Sequence, residues 1–152
     1  MTINTRIFGE INIDEEKIIT FQNGIVGFPD LKDFALIYDE EKGTATSIRW
    51  LQSVQAAEFA LPVMDPLIVY KDYNPEVDDE LLQSAGALDS NEMLVLVTLT
   101  VPNDIKTMSI NLKAPIVINA KARKACQVIA EGDNYPVKFQ IYELLQALKS
   151  AK

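Results

Sequence analysis

Histidine is absent from the 152-residue chain, and cysteine occurs once, as Cys126. A zinc site draws on several Cys or His ligands, and Ser-His-Asp or Cys-His chemistry needs an imidazole beside its nucleophile, so neither can be assembled here. One cysteine cannot form an internal disulfide, which suits a reducing compartment. Long apolar runs are also missing: no stretch approaches the roughly 18 residues of a membrane-spanning helix. The start, MTINTRIFGEINIDEE, has no basic stretch followed by an apolar one, so no secretory leader is expected and the cytoplasm is the default address. Positive charge is scarce, with 14 Lys+Arg against 22 Asp+Glu and a net charge of −8. That balance argues against direct binding to RNA or DNA, because phosphate recognition needs a basic surface. Carboxylate chemistry and oxygen-ligated Mg or Ca stay open on composition, since Asp and Glu are plentiful.

What is present describes an ordinary globular chain. A hydrophobic content of 48% with 24% charged residues excludes disorder and fibrous repeats, and the length fits one domain spanning 1–152. Period-2 alternation dominates. Ile7, Gly9, Ile11 and Ile13 share one parity, the acidic turn Asp14-Glu15-Glu16 follows, and Ile18, Ile19 and Phe21 come next, which predicts a hairpin. Further runs rich in β-branched and aromatic residues lie at Phe34 to Tyr38, Ser47 to Leu51, Glu58 to Met64, Met93 to Val101, Thr107 to Leu112, Pro115 to Asn119 and Ala125 to Ala130. The fold class is therefore all-β and mainly antiparallel, a small β-barrel-like or sandwich domain. Two helices are predicted. One is a short internal helix opened by Asp78-Asp79-Glu80 and ended near Gly86; the other is C-terminal, with Ile141, Leu144, Leu145 and Leu148 at helical spacing.

Charge is unevenly distributed. Asp72, Glu76, Asp78, Asp79, Glu80, Asp89 and Glu92 occupy a stretch with no Lys or Arg, whereas Ile105 to Ala130 carries Lys106, Lys113, Lys121, Arg123 and Lys124 and no acid. Two solvated faces would account for this. The functional alternative is that the acidic stretch, interleaved with Tyr73, Val77, Leu81 and Leu82, docks a basic partner.

Other motifs read as structural. Phe21-Gln22-Asn23-Gly24-Ile25-Val26-Gly27-Phe28-Pro29 lacks the Lys-Ser/Thr and the following helix of a phosphate loop, so Asn23-Gly24 is a turn and Gly27 serves positive φ or close backbone approach. Asp65-Pro66 marks a turn or strand end. Ser53 has a hydroxyl and no base, and Gln52 is better spent on backbone groups at a strand end. Asn111 and Asn119 cap or bridge backbone, and Cys126 is expected buried and inert.

In this order, these segments resemble the FliW flagellar assembly factor family over almost the whole chain. The resemblance rests on Gly9-Glu10, Ile18 to Phe21 with Gly24 and Gly27-Phe28, Phe34, Leu51-Gln52-Ser53, Asp65-Pro66, Tyr73, Val95 to Val101, Asn111-Leu112, Ala114-Pro115-Ile116, Ile118-Asn119, Gln127-Val128-Ile129 and Tyr135. Position 26 holds Val where the family often has Pro, and Gln140 to Lys152 extends past the well-matched region. The resemblance implies a small antiparallel β-barrel-like protein without enzymatic activity that works by switching partners, and the missing histidines and single cysteine predict no metal or cofactor. Its implied partners are CsrA, the homodimeric RNA-binding repressor of flagellin translation, which it would relieve allosterically, and flagellin, which would compete for it. Among residues, the expected CsrA-facing surface is Tyr73 to Leu81, with Tyr73, Val77 and Leu81 as apolar contacts and Glu76, Asp78 and Asp79 as charged ones. The alternatives are a flagellin chaperone with no CsrA link, and a small-molecule-binding barrel with Trp50, Phe59 and Tyr70 lining its pocket.

Overall fold

The computed structural model describes residues 2–6, 8–25, 27–38, 48–74, 93–119, 121–132 and 135–150, with side chains up to 147. Its strands are β1 (Thr2–Thr5), β2 (Gly9–Asn12), β3 (Ile18–Phe21), β4 (Asp33–Tyr38), β5 (Ile48–Ser53), β6 (Ala60–Met64), β7 (Met93–Thr100), β8 (Ser109–Ile110), β9 (Ile116–Asn119), β10 (Lys124–Gln127) and β11 (Phe139–Gln140); helix α1 (Tyr142–Ser150) follows. The order β7-β6-β5-β4-β3-β10-β9 returns to β7, because Met93 to Leu96 pair with Asn119 to Ile116. The result is a closed seven-stranded barrel. Every barrel pairing is antiparallel except β3 with β10, where Thr20 meets Lys124 and Phe21 meets Ala125 in parallel.

Alternation then sorts side chains into two cores. Ile19, Phe21, Phe34, Leu51, Val63, Leu96, Ile116, Ile118 and Ala125 form one buried cluster. These residues come from all seven barrel strands, so the cluster fills the lumen. Their sequence neighbours face outward. Met64 and Val97 join Leu99, Ile110, Leu112, Tyr73 and Ile141 in a second core on the outer wall of β6 and β7. Each large apolar side chain removed from water this way stabilises the fold by about 1.5–3 kcal/mol.

β7 divides one of its edges between two partners: its first half pairs with β9, while Leu99 and Thr100 pair with Ile110 and Ser109 of β8. The link between β8 and β9 explains the break. Asn111 Oδ1 accepts from the Lys113 and Ala114 amides at 3.0 and 3.1 Å, and Pro115 has no amide to offer a ladder. β8 pairs in turn with β11, which leads into α1. The predicted C-terminal helix is present, with Ile141 buried just ahead of it, Leu145 packed on the second core and Leu144 exposed. The predicted internal helix at Asp78 to Gly86 lies outside the described residues.

The predicted hairpin between residues 7–13 and 18–21 is not formed. β2 pairs with β1, which the sequence reading missed, and β3 pairs with β4 and β10. Thr5 closes the β1–β2 turn, its Oγ1 accepting from the Phe8 amide and donating to the Gly9 carbonyl. Asp14 then caps a 3-10 turn at Glu15–Lys17 instead of a hairpin loop, with Oδ1 accepting from the Glu16 amide at 2.9 Å, and the chain swings into the barrel. β2 adds little to the core: Gly9, Glu10 and Asn12 are exposed and Ile11 is half-buried, whereas Ile3 and Thr5 of β1 are buried.

The loop after β3 turns back sharply at its two glycines. Gly24 has φ +68°, and a Cβ there would lie 2.5 Å from the Phe28 carbonyl oxygen and from Pro29 Cα. Gly27 has φ +87° with open space around it. The two sites should therefore respond differently. Gly27→Ala carries backbone strain alone, about 1–2 kcal/mol, and Gly24→Ala adds an overpacking cost of about 1–3 kcal/mol against rigid backbone. Urea unfolding of both variants checks this, and equal midpoints would contradict the reading.

Candidate functional site

The expected partner surface starts where β6 leaves the barrel. Asp65 caps the next turn, Pro66–Ile68, its Oδ1 accepting from the Leu67 amide at 2.9 Å, as expected of a turn-forming Asp-Pro pair. The Tyr70 amide then donates to the Pro66 carbonyl at 2.8 Å and the Tyr73 amide to the Tyr70 carbonyl at 3.1 Å. This winding brings four aromatic rings together edge to face: Tyr70, Tyr73, Tyr135 and Phe139. The closest pair is Tyr73 with Tyr135, 4.8 Å between centroids. Such pairs contribute about 0.5–1.5 kcal/mol each beyond the area they bury.

Tyr73 is only 7% exposed, and its hydroxyl donates to the Leu112 carbonyl at 2.6 Å. The structure thus places Tyr73 in the second core, at the base of the acidic stretch, where the sequence reading has it as a contact. Burial pushes its phenol well above the ordinary tyrosine value, and the neighbouring Tyr135 adds to the shift. Glu76, Val77, Asp78, Asp79 and Leu81 lie outside the described residues, but both flanks of their segment are fixed. On one side the Asn74 amide donates to Tyr135 Oη at 3.0 Å; on the other, Met93 pairs with Asn119 in the barrel wall.

Beyond Asn119 the β9–β10 turn carries exposed Lys121, Arg123 and Lys124, so the acidic stretch rejoins the barrel beside a basic tip. Asn119 Oδ1 accepts from the Ala122 amide, which is the capping role expected of it. Arg123 adopts φ +56°, which turns its carbonyl to accept from the Thr20 amide at 3.0 Å, and its guanidinium donates to the Glu15 carbonyl. An outer groove of about 490 Å³ lies here, lined by Ile18, Thr20, Asp33, Val54, Arg123 and Lys124 among others. At the far end of β7 a smaller cleft of about 230 Å³ opens between Ile25, Phe28, Leu61, Thr98, Asn111 and Gln127.

Trp50, Phe59 and Tyr70 are not brought together. Trp50 sits in the wall opposite Ile37 and Pro62, Phe59 packs against Phe28 and Phe34, and Tyr70 belongs to the tyrosine cluster. None of the three lines either cleft. Gln52 and Ser53 act on backbone, as expected. Gln52 Oε1 accepts from the Arg6 amide, its Nε2 donates to the Ser53, Ala57 and Phe59 carbonyls, and Ser53 Oγ accepts from the Gln55 and Ala56 amides. Cys126 is buried. The sequence reading missed the Tyr135 bond to Asn74 and the left-handed Arg123. The first joins residues far apart in the chain, and an arginine in a basic run carries no sign of backbone conformation.

The comparisons with known proteins agree with one another. The family model for FliW protein matches residues 2–141. The flagellar assembly factor FliW of Lachnospira eligens is 46% identical over 147 residues, covering 96% of this chain and 97% of that protein. The protein of the same name from Lachnoclostridium phytofermentans is 44% identical over 146 residues, covering 96% and 94%. A crystal structure of the flagellar assembly factor FliW superposes with a TM-score of 0.85 at 32% identity, covering 93% of this chain and 97% of that one.

The Tyr73 hydroxyl generates a prediction in both stability and pH. Tyr73→Phe leaves the Leu112 carbonyl without its donor and should cost about 1–3 kcal/mol. The folded phenol holds its proton more tightly than the unfolded one, so this contribution is intact below about pH 10 and is lost as pH rises beyond it. Stability of the parent should therefore fall more steeply above pH 10 than that of Tyr73→Phe. Parallel unfolding profiles for the two proteins would contradict the assignment.

Proposed function

The chain belongs to the FliW protein family, and we propose that it is a cytoplasmic flagellar assembly factor that binds other proteins and has no enzymatic activity. The observation that carries this is the near full-length match to relatives named flagellar assembly factor. The proposed partners are CsrA and flagellin. Binding to CsrA at a site apart from its RNA surface relieves repression of flagellin mRNA, and flagellin competes for the factor and restores repression. Charge supports a basic partner: a protein of net charge −8 concentrates carboxylates between Asp72 and Glu92 with no cation among them, and an RNA-binding repressor must carry basic residues.

On this reading the contact surface runs from Tyr73, at its buried base, to Leu81. Glu76, Asp78 and Asp79 supply attraction and Val77 and Leu81 supply apolar contact. The carboxylates speed encounter and select the partner, while affinity comes from the apolar anchors. If the mechanism is allosteric, RNA must weaken the factor's binding to CsrA by the same factor as the reverse.

Two substitutions separate these contributions. Glu76→Lys places like charge beside a basic partner and should cost several kcal/mol of CsrA affinity, and Val77→Ala should cost about 1–2 kcal/mol if Val77 is an anchor. Titration calorimetry on folded variants measures both. Unchanged affinity in the two would move the surface elsewhere, and failure of the parent to retain CsrA in a pull-down without flagellin would remove CsrA as a partner.

A further inference from the structure

The chain has one Asn-Gly pair, Asn23-Gly24, in the turn that follows β3. Glycine leaves its own peptide nitrogen unshielded, which makes such a pair open to attack by that nitrogen on the asparagine side-chain amide. The fold fixes the glycine and leaves the asparagine in solvent: Gly24 has φ +68° and no room for a Cβ, and Asn23 is exposed. The same turn restrains the reaction. The Gly24 amide donates to the Phe21 carbonyl at 2.9 Å, so the attacking nitrogen is tied up. Neither Gln22 nor Asn23 has positive φ, which gives a type I geometry with Asn23 ψ of about 0°. At that angle the Gly24 nitrogen is rotated away from the Asn23 side chain, and a ring between them closes only when the turn opens. Asn111 and Asn119 differ, since each spends its Oδ1 on a backbone cap and precedes Leu112 or Ala120.

We propose that Asn23 is a site of spontaneous modification, converted to aspartate and isoaspartate at a rate set by opening of the Phe21–Gly24 turn. The Gly24 nitrogen loses its proton and bonds to Asn23 Cγ as ammonia leaves. Water then opens the cyclic imide at either carbonyl, giving aspartate or isoaspartate, so the net change is one water consumed and one ammonia released, with no oxidation or reduction. Isoaspartate runs the main chain through Cβ and inserts one extra backbone atom before Gly24. The turn has no slack for it: Gly24 lies against the Phe28 carbonyl and Pro29, and the turn hangs directly on fully buried Phe21. The isoaspartate product therefore keeps the turn open, whereas the aspartate product leaves its backbone unchanged.

The full chain, incubated in mildly alkaline buffer, is digested and assayed by mass spectrometry for amide-to-acid conversion and for isoaspartate. Conversion at Asn23 should outpace that at Asn111 and Asn119, yet run about tenfold or more slower than in the guanidinium-unfolded chain. Gly27→Ala strains the same loop without touching the pair and should speed conversion several-fold, in step with exchange of the Gly24 amide. Phe28→Ala, which removes the ring contact with Phe59 at 4.5 Å, is a second way to loosen the loop and should act in the same direction. The isolated isoaspartate form should unfold at lower denaturant than Asn23→Asp, which carries the same charge on a normal backbone. Equal rates in the folded and unfolded chain, or conversion in the two loop variants no faster than in the parent, would overturn gating by the turn. A folded parent that shows no conversion at Asn23 while the unfolded chain converts would overturn the site itself.

Discussion

The barrel is shut by a joint of two residue pairs, Thr20 with Lys124 and Phe21 with Ala125, and this joint constrains much of what surrounds it. Antiparallel neighbours come cheaply from hairpins, but β3 and β10 run parallel and are far apart in sequence, so their pairing carries the loop-closure entropy of most of the chain. Arg123 makes the joint geometrically possible. A non-glycine residue in the left-handed region carries a local strain of about 1 kcal/mol or more, offset here by the carbonyl it delivers to Thr20 and the guanidinium it lays across to Glu15. Glycine would relieve the strain and lose the side-chain clip. Closure also fills the lumen, because Phe21 and Ala125 sit at the joint and both are fully buried.

Once the ring is closed, one edge of β7 is taken by β9 along its first half, and the same edge of its second half pairs with β8 instead. That detour builds the outer layer. β8 brings in β11 and α1, and with them Phe139 and Ile141 come onto the wall where Met64 and Val97 point outward. Tyr70, Tyr73 and Tyr135 complete the layer. The base of the acidic stretch is thereby tied to barrel strands through packed aromatic rings and one buried hydroxyl, while its other end is the first residue of β7. The described residues that flank it, Asn74 and Met93, are thus both tied to packed structure.

Legibility in the sequence followed the range of the interactions. Runs such as Phe34 to Tyr38 and Met93 to Val101 declared themselves because inside–outside alternation is a local pattern. Asp65-Pro66, Asn111 and Gln52 were readable because a short polar side chain beside a turn has few uses other than backbone capping. Strand partners were not readable. Ile18 to Phe21 alternates equally well beside β2 or β4, and only the cap at Asp14 and the non-local joint with β10 decide between them. The acidic stretch was visible as charge, but its anchoring was hidden: Tyr73 counts as a surface aromatic until Leu112 and Tyr135 are known to enclose it.

Polar groups among the described residues are spent on the fold itself. No buried side-chain polar atom among the described residues lacks a hydrogen-bond partner. No group of three or more Cys, Asp or Glu gathers among them as a metal site. Charge and packing are instead divided between different parts of the chain. Carboxylates sit in a stretch that can act at a distance of about one Debye length, roughly 8 Å at physiological ionic strength, and the tyrosine cluster beneath holds the residue from which it departs. Long-range attraction without a fixed base would bring a partner close and leave the ordering cost to be met at contact. A fixed base without the carboxylates would bind whatever fits its shape. On the proposed reading partner selection draws on both, and Tyr73 and Asn74 are the described residues at which the acidic stretch adjoins the cluster.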